Sequence, residues 1–556
     1  MSKTQLRGGA RLTARALVLG VSVGALGACD KLLEVELPHI LTDEAIEDIS
    51  SAQIQVNSAQ ALFECGTSSF SWVAMGHEDI FESVAGVAGG VHVFTGSAPT
   101  GSCDDSQQDD DFFDQFMGTR QLLSTDPAKL GNSGGSSELV GVYDRLVDQG
   151  WMAQIIGGER LAATAAVYMA AALGHFGQYY CEGTFDGGRF MTGPEILAVA
   201  EEWVTNRALV HITNVGDYAL PNGAAPSANR TALGLRAQMR LAAGDLAGAN
   251  ADALTVLGAA PTFTAFATRE SGAQRRNKVF DAGTSAKFSG MIGVNDFWNG
   301  ASRPPNPATG QLWPATIPFT GAIFLGVMPD GRTLDANNVP IRWAAEIRDA
   351  AEQPVSLGNG AVADPRVTHR FESIQGPAKR EVPTRFITGD ADIPIVSWRE
   401  LTLIRARFEN EVSNNQAAAI TLINGMRGTG VADITGTLAT ELTNGADDAS
   451  IVGATDQEEM RMVILEEARR EFYGGENGRW WQWKIQNTDL MWFPRFQGFT
   501  ESGYRLQCGV RMAFPTDEYQ RNPAFLEAGG TDARGAGCTA AFGPNVPADA
   551  SERPVF

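Results

Sequence analysis

The fold of this chain is decided by residues 231–261, which read TALGLRAQMRLAAGDLAGANADALTVLGAAP. Alanine and leucine recur at helical spacing on both sides of Gly244 and Asp245, and this pair is typical of a turn. The second helical run ends near Gly258. The stretch therefore predicts a helical hairpin.

The small residues of this hairpin are regularly spaced. Ala237, Ala249 and Pro261 lie twelve residues apart. Tetratricopeptide repeats place two small residues where their helices cross, and the proline that ends the unit, at this spacing. Small residues at a crossing also let any antiparallel helix pair approach to about 8–10 Å. Both interpretations stay open.

A second hairpin is predicted over residues 398–426, where Ala406 and Ala418 repeat the twelve-residue step. Further helical patterns cover residues 42–63, 138–180 and 194–212. We therefore expect a mainly α fold that is built from helical hairpins.

Residues 262–395, between the two hairpins, differ from the rest of the chain. They are rich in glycine, proline and aromatic residues, with short apolar runs and few helical periods. This composition predicts long loops and short strands. Loops of this length are uncommon in a compact chain unless they serve a function. We therefore regard this loop-rich segment as a candidate ligand surface.

The start of the chain has the pattern of an export signal. Four positive residues precede a short apolar run, and the string LGAC then ends at Cys29. The apolar run of about 11 residues is too short to remain as a transmembrane helix, which needs roughly 20. Residues 1–28 are therefore predicted to be a lipoprotein signal peptide, with lipidated Cys29 as the first mature residue. An ordinary secretory signal followed by a coincidental cysteine is the alternative.

The chain is acidic. Its 556 residues carry a formal net charge of −22 at pH 7, which becomes −26 when the four positive charges of residues 1–28 are removed. Binding to nucleic acid requires clustered Lys and Arg residues that neutralise phosphates, and the sequence contains no such cluster. No nucleic-acid partner is expected.

Five cysteines accompany Cys29, and pairs among them are plausible in an exported protein. Cys508 with Cys538 is the first choice for a disulfide because both lie in a Gly-rich, irregular stretch. Cys103 with Cys181 is the second. The sequence contains no CxxC spacing and its histidines are scattered, so neither a zinc site nor a redox motif is predicted.

The run CDDSQQDDD, residues 103–111, carries the oxygen ligands that a calcium ion needs. It lacks the alternating ligands and the glycine of an EF-hand loop. We therefore expect a solvated acidic loop, and no metal or other cofactor is predicted.

Sugars pack their C–H faces on aromatic rings and bind polar side chains through their hydroxyls. Trp72, Trp298 and Trp313 lie in polar or Gly/Pro-rich loop contexts, and Asp296 and Asn299 are polar neighbours of the second. These five residues are the candidate ligand-binding residues. The alternative for each tryptophan is a place in the core.

Trp480, Trp481 and Trp483 form the densest aromatic cluster of the sequence. They follow a helical pattern whose glutamates and arginines can pair at helical spacing. We therefore expect these three rings to pack in the core rather than to line a binding cleft.

Four separated blocks carry a resemblance to a known family. They are Cys29, Asp30 and LLEVELP; residues 397–410 (SWRELTLIRARFEN) with 417–427 (AAAITLINGMR); residues 463–484 (VILEEARREFYGGENGRWWQWK); and residues 514–523 (FPTDEYQRNP). In order and spacing they resemble the RagB/SusD nutrient-uptake lipoproteins of bacterial outer membranes. Gln482 departs from the family, which often has an acidic residue there, and the GGENG turn is slightly longer than usual.

The resemblance implies a tetratricopeptide-like scaffold with an irregular, loop-rich C-terminal subdomain. The expected segments are a lipid anchor and tether at 29–42, an N-terminal helical region at 43–261, the loop-rich segment at 262–395 and a C-terminal RagB/SusD-like region at 396–556. It also implies a lipoprotein on the cell exterior that acts as a lid over a TonB-dependent, SusC-like outer-membrane barrel and captures oligosaccharide or peptide for import.

Two other functions are weighed against this one. The first is a helical-repeat scaffold that binds other proteins without a small ligand. The second is a lipid-anchored glycan hydrolase, which would need two carboxylates held roughly 5–9.5 Å apart. The sequence contains no HExxH, P-loop or dinucleotide-binding fingerprint. We therefore do not expect an enzyme.

Overall fold

The computed structural model describes residues 46–78, 81–83, 111–131, 140–271, 275–280, 292–294, 344–348, 363–375, 378–383, 385–430, 456–474, 476–487, 511–512, 514 and 522–527. The chain divides after Ala52 into two units, the second of which is Gln53–Phe556. In the first unit, the Asp48 side chain accepts a hydrogen bond from Ser50 N and caps the short 3-10 helix Ile49–Ser51. Residues 42–45, where the helical pattern was expected to begin, lie outside the described residues.

Helices dominate the described residues on both sides of the loop-rich segment. Before it lie α1 (Ala52–His77), α2 (Asp111–Leu123), α3 (Val142–Val147), α4 (Trp151–Gln154), α5 (Gly158–Tyr179), α6 (Gly193–Glu202), α7 (Leu209–Val215), α8 (Ala228–Ala242) and α9 (Leu246–Ala259). After it lie α10 (Trp398–Glu411), α11 (Gln416–Gly430), α12 (Asp456–Glu471), α13 (Arg479–Ile485) and α14 (Pro523–Glu527). The mainly α fold class is confirmed.

Both predicted hairpins are confirmed. Helices α8 and α9 pack on each other across a turn at Gly244, whose φ of 86° is readily available to glycine. The side chain of Asp245 caps α9 by accepting a hydrogen bond from Gly248 N at 2.8 Å. Helices α10 and α11 form the second hairpin, and α9 packs on α10, so the two hairpins stack as neighbouring layers.

The alanines at the hairpin crossings are largely where the spacing places them. Ala237, Ala249 and Ala406 are fully buried. In the second hairpin the buried residue of α11 is Ala419, whereas Ala418 is half-buried. The twelve-residue step is therefore wrong by one residue at that point.

The predicted helical pattern over residues 138–180 is interrupted twice. Gly150 and Gly157 have φ values of 75° and 77°, and they separate α3, α4 and α5. Left-handed glycines end helices because they suit a backbone that L side chains disfavour. Between α6 and α7, residues Trp203–Ala208 form a π-helical turn.

Short strands pair in small sheets. They are β1 (Phe81–Ser83), β2 (Glu182–Gly183), β3 (Met191–Thr192), β4 (Thr264–Ala267), β5 (Ile292–Val294), β6 (Ala344–Arg348), β7 (Ala363–Gln375), β8 (Ala378–Pro383) and β9 (Ile393–Ser397). The antiparallel pairs are β1–β5, β2–β3, β4–β9 and β7–β8, and β6 pairs with β7 in parallel. The strands expected in the loop-rich segment are therefore present, although β7 is longer than predicted.

The core of the helical layers is built around α5, which is buried along nearly its whole length. Its alanines allow close packing of α6 and α8, and α2 packs on it as well. Among the described helices, none is both long enough and apolar enough to cross a membrane.

Candidate functional site

The first and last strands of the loop-rich segment pair with each other beside the helical layers. Its first strand, β4, pairs antiparallel with its last, β9, from Thr264↔Ser397 to Ala267↔Ile393. Phe266 N also donates a hydrogen bond to Ala224 O at 2.7 Å. We call this strand pair, together with the described residues that flank it, the segment base (264–271, 275–280 and 389–397).

Glu64 of α1 anchors the segment base from the helical side. Its carboxylate accepts hydrogen bonds from Thr268 Oγ1 at 2.7 Å, Arg275 Nη2 at 3.0 Å and Gln60 Nε2 at 2.8 Å. The side chain is 1% exposed. Burial raises the pKa of Glu64, and the hydrogen bonds and the nearby arginines oppose that rise.

The two ends of the segment are also joined by side chains. Arg269 N donates to Asp392 Oδ1 at 2.7 Å, and Asn277 Nδ2 donates to Ala391 O at 2.9 Å. Lys278 N donates to Ser68 Oγ of α1 at 3.0 Å. Polar contacts between the two ends, and from the segment to α1, thus fix the base.

A second polar cluster lies inside the core, next to β9. Glu400 accepts hydrogen bonds from Arg479 Nε at 2.7 Å and from Gln238 Nε2 at 2.6 Å. Gln238 also donates to Ile395 O at 2.9 Å. The Glu400–Arg479 pair, buried at both partners, therefore ties the C-terminal block to the first hairpin and to the segment base.

Three buried tryptophans lie on α13, the helix that begins at Arg479. Trp480, Trp481 and Trp483 are 2%, 1% and 0% exposed, and Trp483 Nε1 donates to Glu400 Oε1 at 3.3 Å. Trp481 stacks on Phe70 of α1, with ring centroids 5.9 Å apart. The prediction that these rings pack in the core is confirmed.

No family model and no curated protein matches the sequence. Solved structures do match. One is a SusD homolog from Bacteroides ovatus, with 11% identity and a TM-score of 0.50 over 85% of this chain and 94% of that one. Another is a SusD-like protein from Bacteroides fragilis, with 13% identity and a TM-score of 0.50 over 88% of this chain and 99% of that one. This chain has the SusD fold. The RagB/SusD resemblance is confirmed at the level of the fold.

The prediction that Trp72 lies in a loop of this SusD-like chain is wrong. Trp72 belongs to α1 and is 7% exposed. The serines around Trp72 are typical of a loop in the sequence. Ser71 is nevertheless accommodated in the helix, because its hydroxyl donates a hydrogen bond to Thr67 O at 2.7 Å. A ring in this position is part of the core and offers no flat surface to a sugar.

The other predicted site residues lie outside the described residues of the SusD-like chain: Trp298, Trp313, Asp296 and Asn299 of the loop-rich segment, Cys29 at the anchor, and Cys508 and Cys538. Cys103 lies outside them too. Its suggested partner Cys181 is buried, with Sγ 3.1 Å from Met512 O. These roles and pairings stay predictions.

One acidic cluster among the described residues has the spacing of a cation site. Carboxylate oxygens of Asp126, Asp144 and Asp148 lie within 4.8 Å of one another. Lys129 Nζ lies among them, 3.1 Å from Asp126 Oδ2 and 2.8 Å from Asp144 Oδ1, and also pairs with Asp148. Burial alone would lower the pKa of Lys129, but the aspartates raise it above its ordinary value. An internal ammonium therefore supplies the positive charge here. The acidic run of residues 103–110 lies outside the described residues.

No pattern in the sequence predicts the contacts that build the segment base. Glu64 and Arg275 are 211 residues apart, and neither residue belongs to a motif. Arg479 and Glu400 each lie in a block that carries the family resemblance, but no local pattern in either block indicates that they pair.

Proposed function

We propose that this chain is a lipid-anchored protein of the outer membrane, facing the cell exterior, that binds an oligomeric nutrient and delivers it to a TonB-dependent, SusC-like barrel. The observation that carries the proposal is the SusD fold over 85–88% of the chain. The two matched proteins are described as a SusD homolog and a SusD-like protein. The nutrient is an oligosaccharide or a peptide.

The anchor follows from the first 29 residues. A cationic start, a short apolar run and LGAC are the pattern of a lipoprotein signal, so acylated Cys29 would hold the mature chain at the membrane. Two or more acyl chains give stable anchoring to a protein without a membrane-spanning helix.

The ligand site is proposed on the loop-rich segment. Trp298 and Trp313 supply the flat rings, and Asp296 and Asn299 supply polar groups for hydroxyls or peptide amides. A segment whose two ends are fixed at one base can present such residues on a stable support. Trp72 is not retained in this site, because it is buried in α1. The protein binds and transfers its nutrient without chemical conversion.

Isothermal titration of the mature chain against a panel of polysaccharides and peptides tests the proposal. We expect one class of oligomer to bind, and we expect Trp298→Ala and Trp313→Ala to weaken its binding about fivefold or more, since a stacked aromatic contributes about 1 kcal/mol or more. Trp151→Ala is the matched control, because Trp151 is a half-buried tryptophan of α4 outside the loop-rich segment. Equal loss in the control, or unchanged affinity in both variants, would remove the two rings from the site. Release of reducing ends by the natural protein would instead support a hydrolase.

A further inference from the structure

Two arginines of the segment base have hydrogen-bond donors that the described protein leaves unused. Nε and Nη2 of Arg269 and Nε of Arg275 are buried and, among the described residues, donate no hydrogen bond to an oxygen. The Cys65 thiol lies beside the Arg269 guanidinium, but sulfur is a weak acceptor. Buried donors of a charged group without an acceptor are costly and therefore uncommon.

In the part of the chain that the structure describes, only one buried carboxylate is paired with these two arginines, of which Arg269 is buried and Arg275 is half-buried. Both guanidinium groups share Glu64 Oε2, which lies 3.0 Å from Arg275 Nη2 and 3.8 Å from Arg269 Nη2. Glu270 lies 3.2 Å from Arg275 Nη1, but its side chain is 64% exposed, so water screens the pair. Asp392 accepts a hydrogen bond from the backbone N–H of Arg269 and forms no ion pair with either guanidinium group among the described residues.

The pKa of Arg269 lies below its ordinary value, mainly because the side chain is buried. Burial lowers the pKa of Arg269, and the nearby charge of Arg275 lowers it further, while Cys65 and Glu64 act in the opposite direction. The side chain of Arg269 is 1% exposed and that of Arg275 is 27% exposed. A ligand would therefore approach from the side of Arg275.

We propose that Arg269 and Arg275 together bind one small oxyanion, such as a carboxylate, sulfate or phosphate group. Guanidinium groups offer forked N–H donors that match the oxygens of such anions. A bound oxyanion would accept hydrogen bonds from the unused N–H groups. It would also balance the charge of whichever guanidinium group Glu64 does not neutralise. Because β4 ends at Ala267, two residues before Arg269, the anion would also brace the point where the loop-rich segment leaves the helical layers.

This site goes beyond the proposed function and does not depend on it. The oxyanion could be a free inorganic ion or the acidic group of a sugar, and the same arginines would bind either. Titration of the full mature chain with sodium sulfate, sodium phosphate and glucuronate, with glucose as the uncharged comparison, separates these sources. Sodium chloride at matched ionic strength corrects for screening and for general salt effects.

We expect a saturable isotherm with one sulfate or phosphate per chain, weakened about tenfold or more by Arg275→Gln, since one charge-assisted contact is lost. Arg269→Gln should weaken it further. If Arg269→Gln does not fold, the isotherm of Arg275→Gln decides the outcome, because the Arg275 side chain is only half-buried. Arg189→Gln is the control, because Arg189 is an exposed arginine that already pairs with Glu195.

Competition by glucuronate but not by glucose would extend the site to acidic sugars. Binding of sulfate and phosphate without such competition would assign it to inorganic ions, and either result supports the oxyanion site. An isotherm that is unchanged by Arg275→Gln, or no saturable binding of any anion, would overturn it. Binding of a neutral oligosaccharide elsewhere would be unaffected, so a failure here would leave the proposed function standing.

Discussion

Replacing Gly234 by alanine tests how closely the first hairpin packs on the segment base. Gly234 is buried in α8, and a Cβ atom there would lie 2.3 Å from Val396 Cγ1 and 3.1 Å from Val396 Cγ2. Carbon atoms in favourable contact are about 3.5–4.0 Å apart. Val396 is itself fully buried on β9, so its side chain has no solvent to turn into.

Two opposing effects set the size of the change. Alanine in the interior of a helix is favoured over glycine by about 0.5–1 kcal/mol. Overpacking of a well-packed core costs about 1–3 kcal/mol. Moving α8 away from β9 would also strain the hydrogen bond from Gln238 to Ile395 O, which is worth about 1 kcal/mol. We therefore expect Gly234→Ala to lower the free energy of unfolding by about 1–2 kcal/mol.

The assay is chemical denaturation followed by tryptophan fluorescence. Gly258→Ala is the matched control, because Gly258 lies in α9 with no atom within 4 Å of the added Cβ, and it should stabilise the protein by about 0.5–1 kcal/mol. Val396→Ala removes the clashing methyl groups, so Gly234→Ala should cost less in that background. Equal stabilisation by both glycine substitutions would refute the close packing of α8 on β9.

Three more substitutions test how buried or half-buried ionisable side chains contribute to stability. Arg479→Met leaves the Glu400 carboxylate buried without its cation and should cost about 3–5 kcal/mol in the same assay, whereas a loss below about 1 kcal/mol would contradict the role of the pair. Burial lowers the pKa of His175 well below 6.5, so the unfolded chain takes up a proton that the folded chain does not, and stability falls as the pH drops below about 6.5. His175→Phe should flatten the dependence of Tm on pH between about 7 and 5, and an unchanged slope would exclude this imidazole as its source. Lys129→Met leaves close aspartates without their ammonium, so Tm should fall and added Ca²⁺ should restore part of it in the variant but not in the natural protein. Failure of Ca²⁺ to act selectively would show that these carboxylates do not form a cation site.

The helical layers were predictable because their signals are local. The spacing of Ala237 and Ala249, with a turn at Gly244, predicts the first hairpin before any tertiary contact is known. The breaks at Gly150 and Gly157 were not predicted because a glycine inside a helical pattern is tolerated and does not by itself mark the end of a helix.

The segment base was not predictable in the same way. Its contacts join Glu64 of α1 to residues more than 200 positions later in the chain, and no local sequence pattern predicts such a pairing. Trp72 shows the converse error, since the polar residues beside it in the sequence indicated a loop, whereas they belong to α1 and the Ser71 hydroxyl bonds within the helix. The loop context of a tryptophan is therefore a weaker guide than the burial of the element that carries it.

Isolation of the full-length chain from the membranes of its own cells tests the central claim most directly. A tagged chain should be found in the outer-membrane fraction and should co-purify with a large TonB-dependent barrel, whereas Cys29→Ser should release it from the membrane. A natural chain that stays out of the membrane fraction, or that is isolated from it repeatedly without such a barrel, would contradict the account.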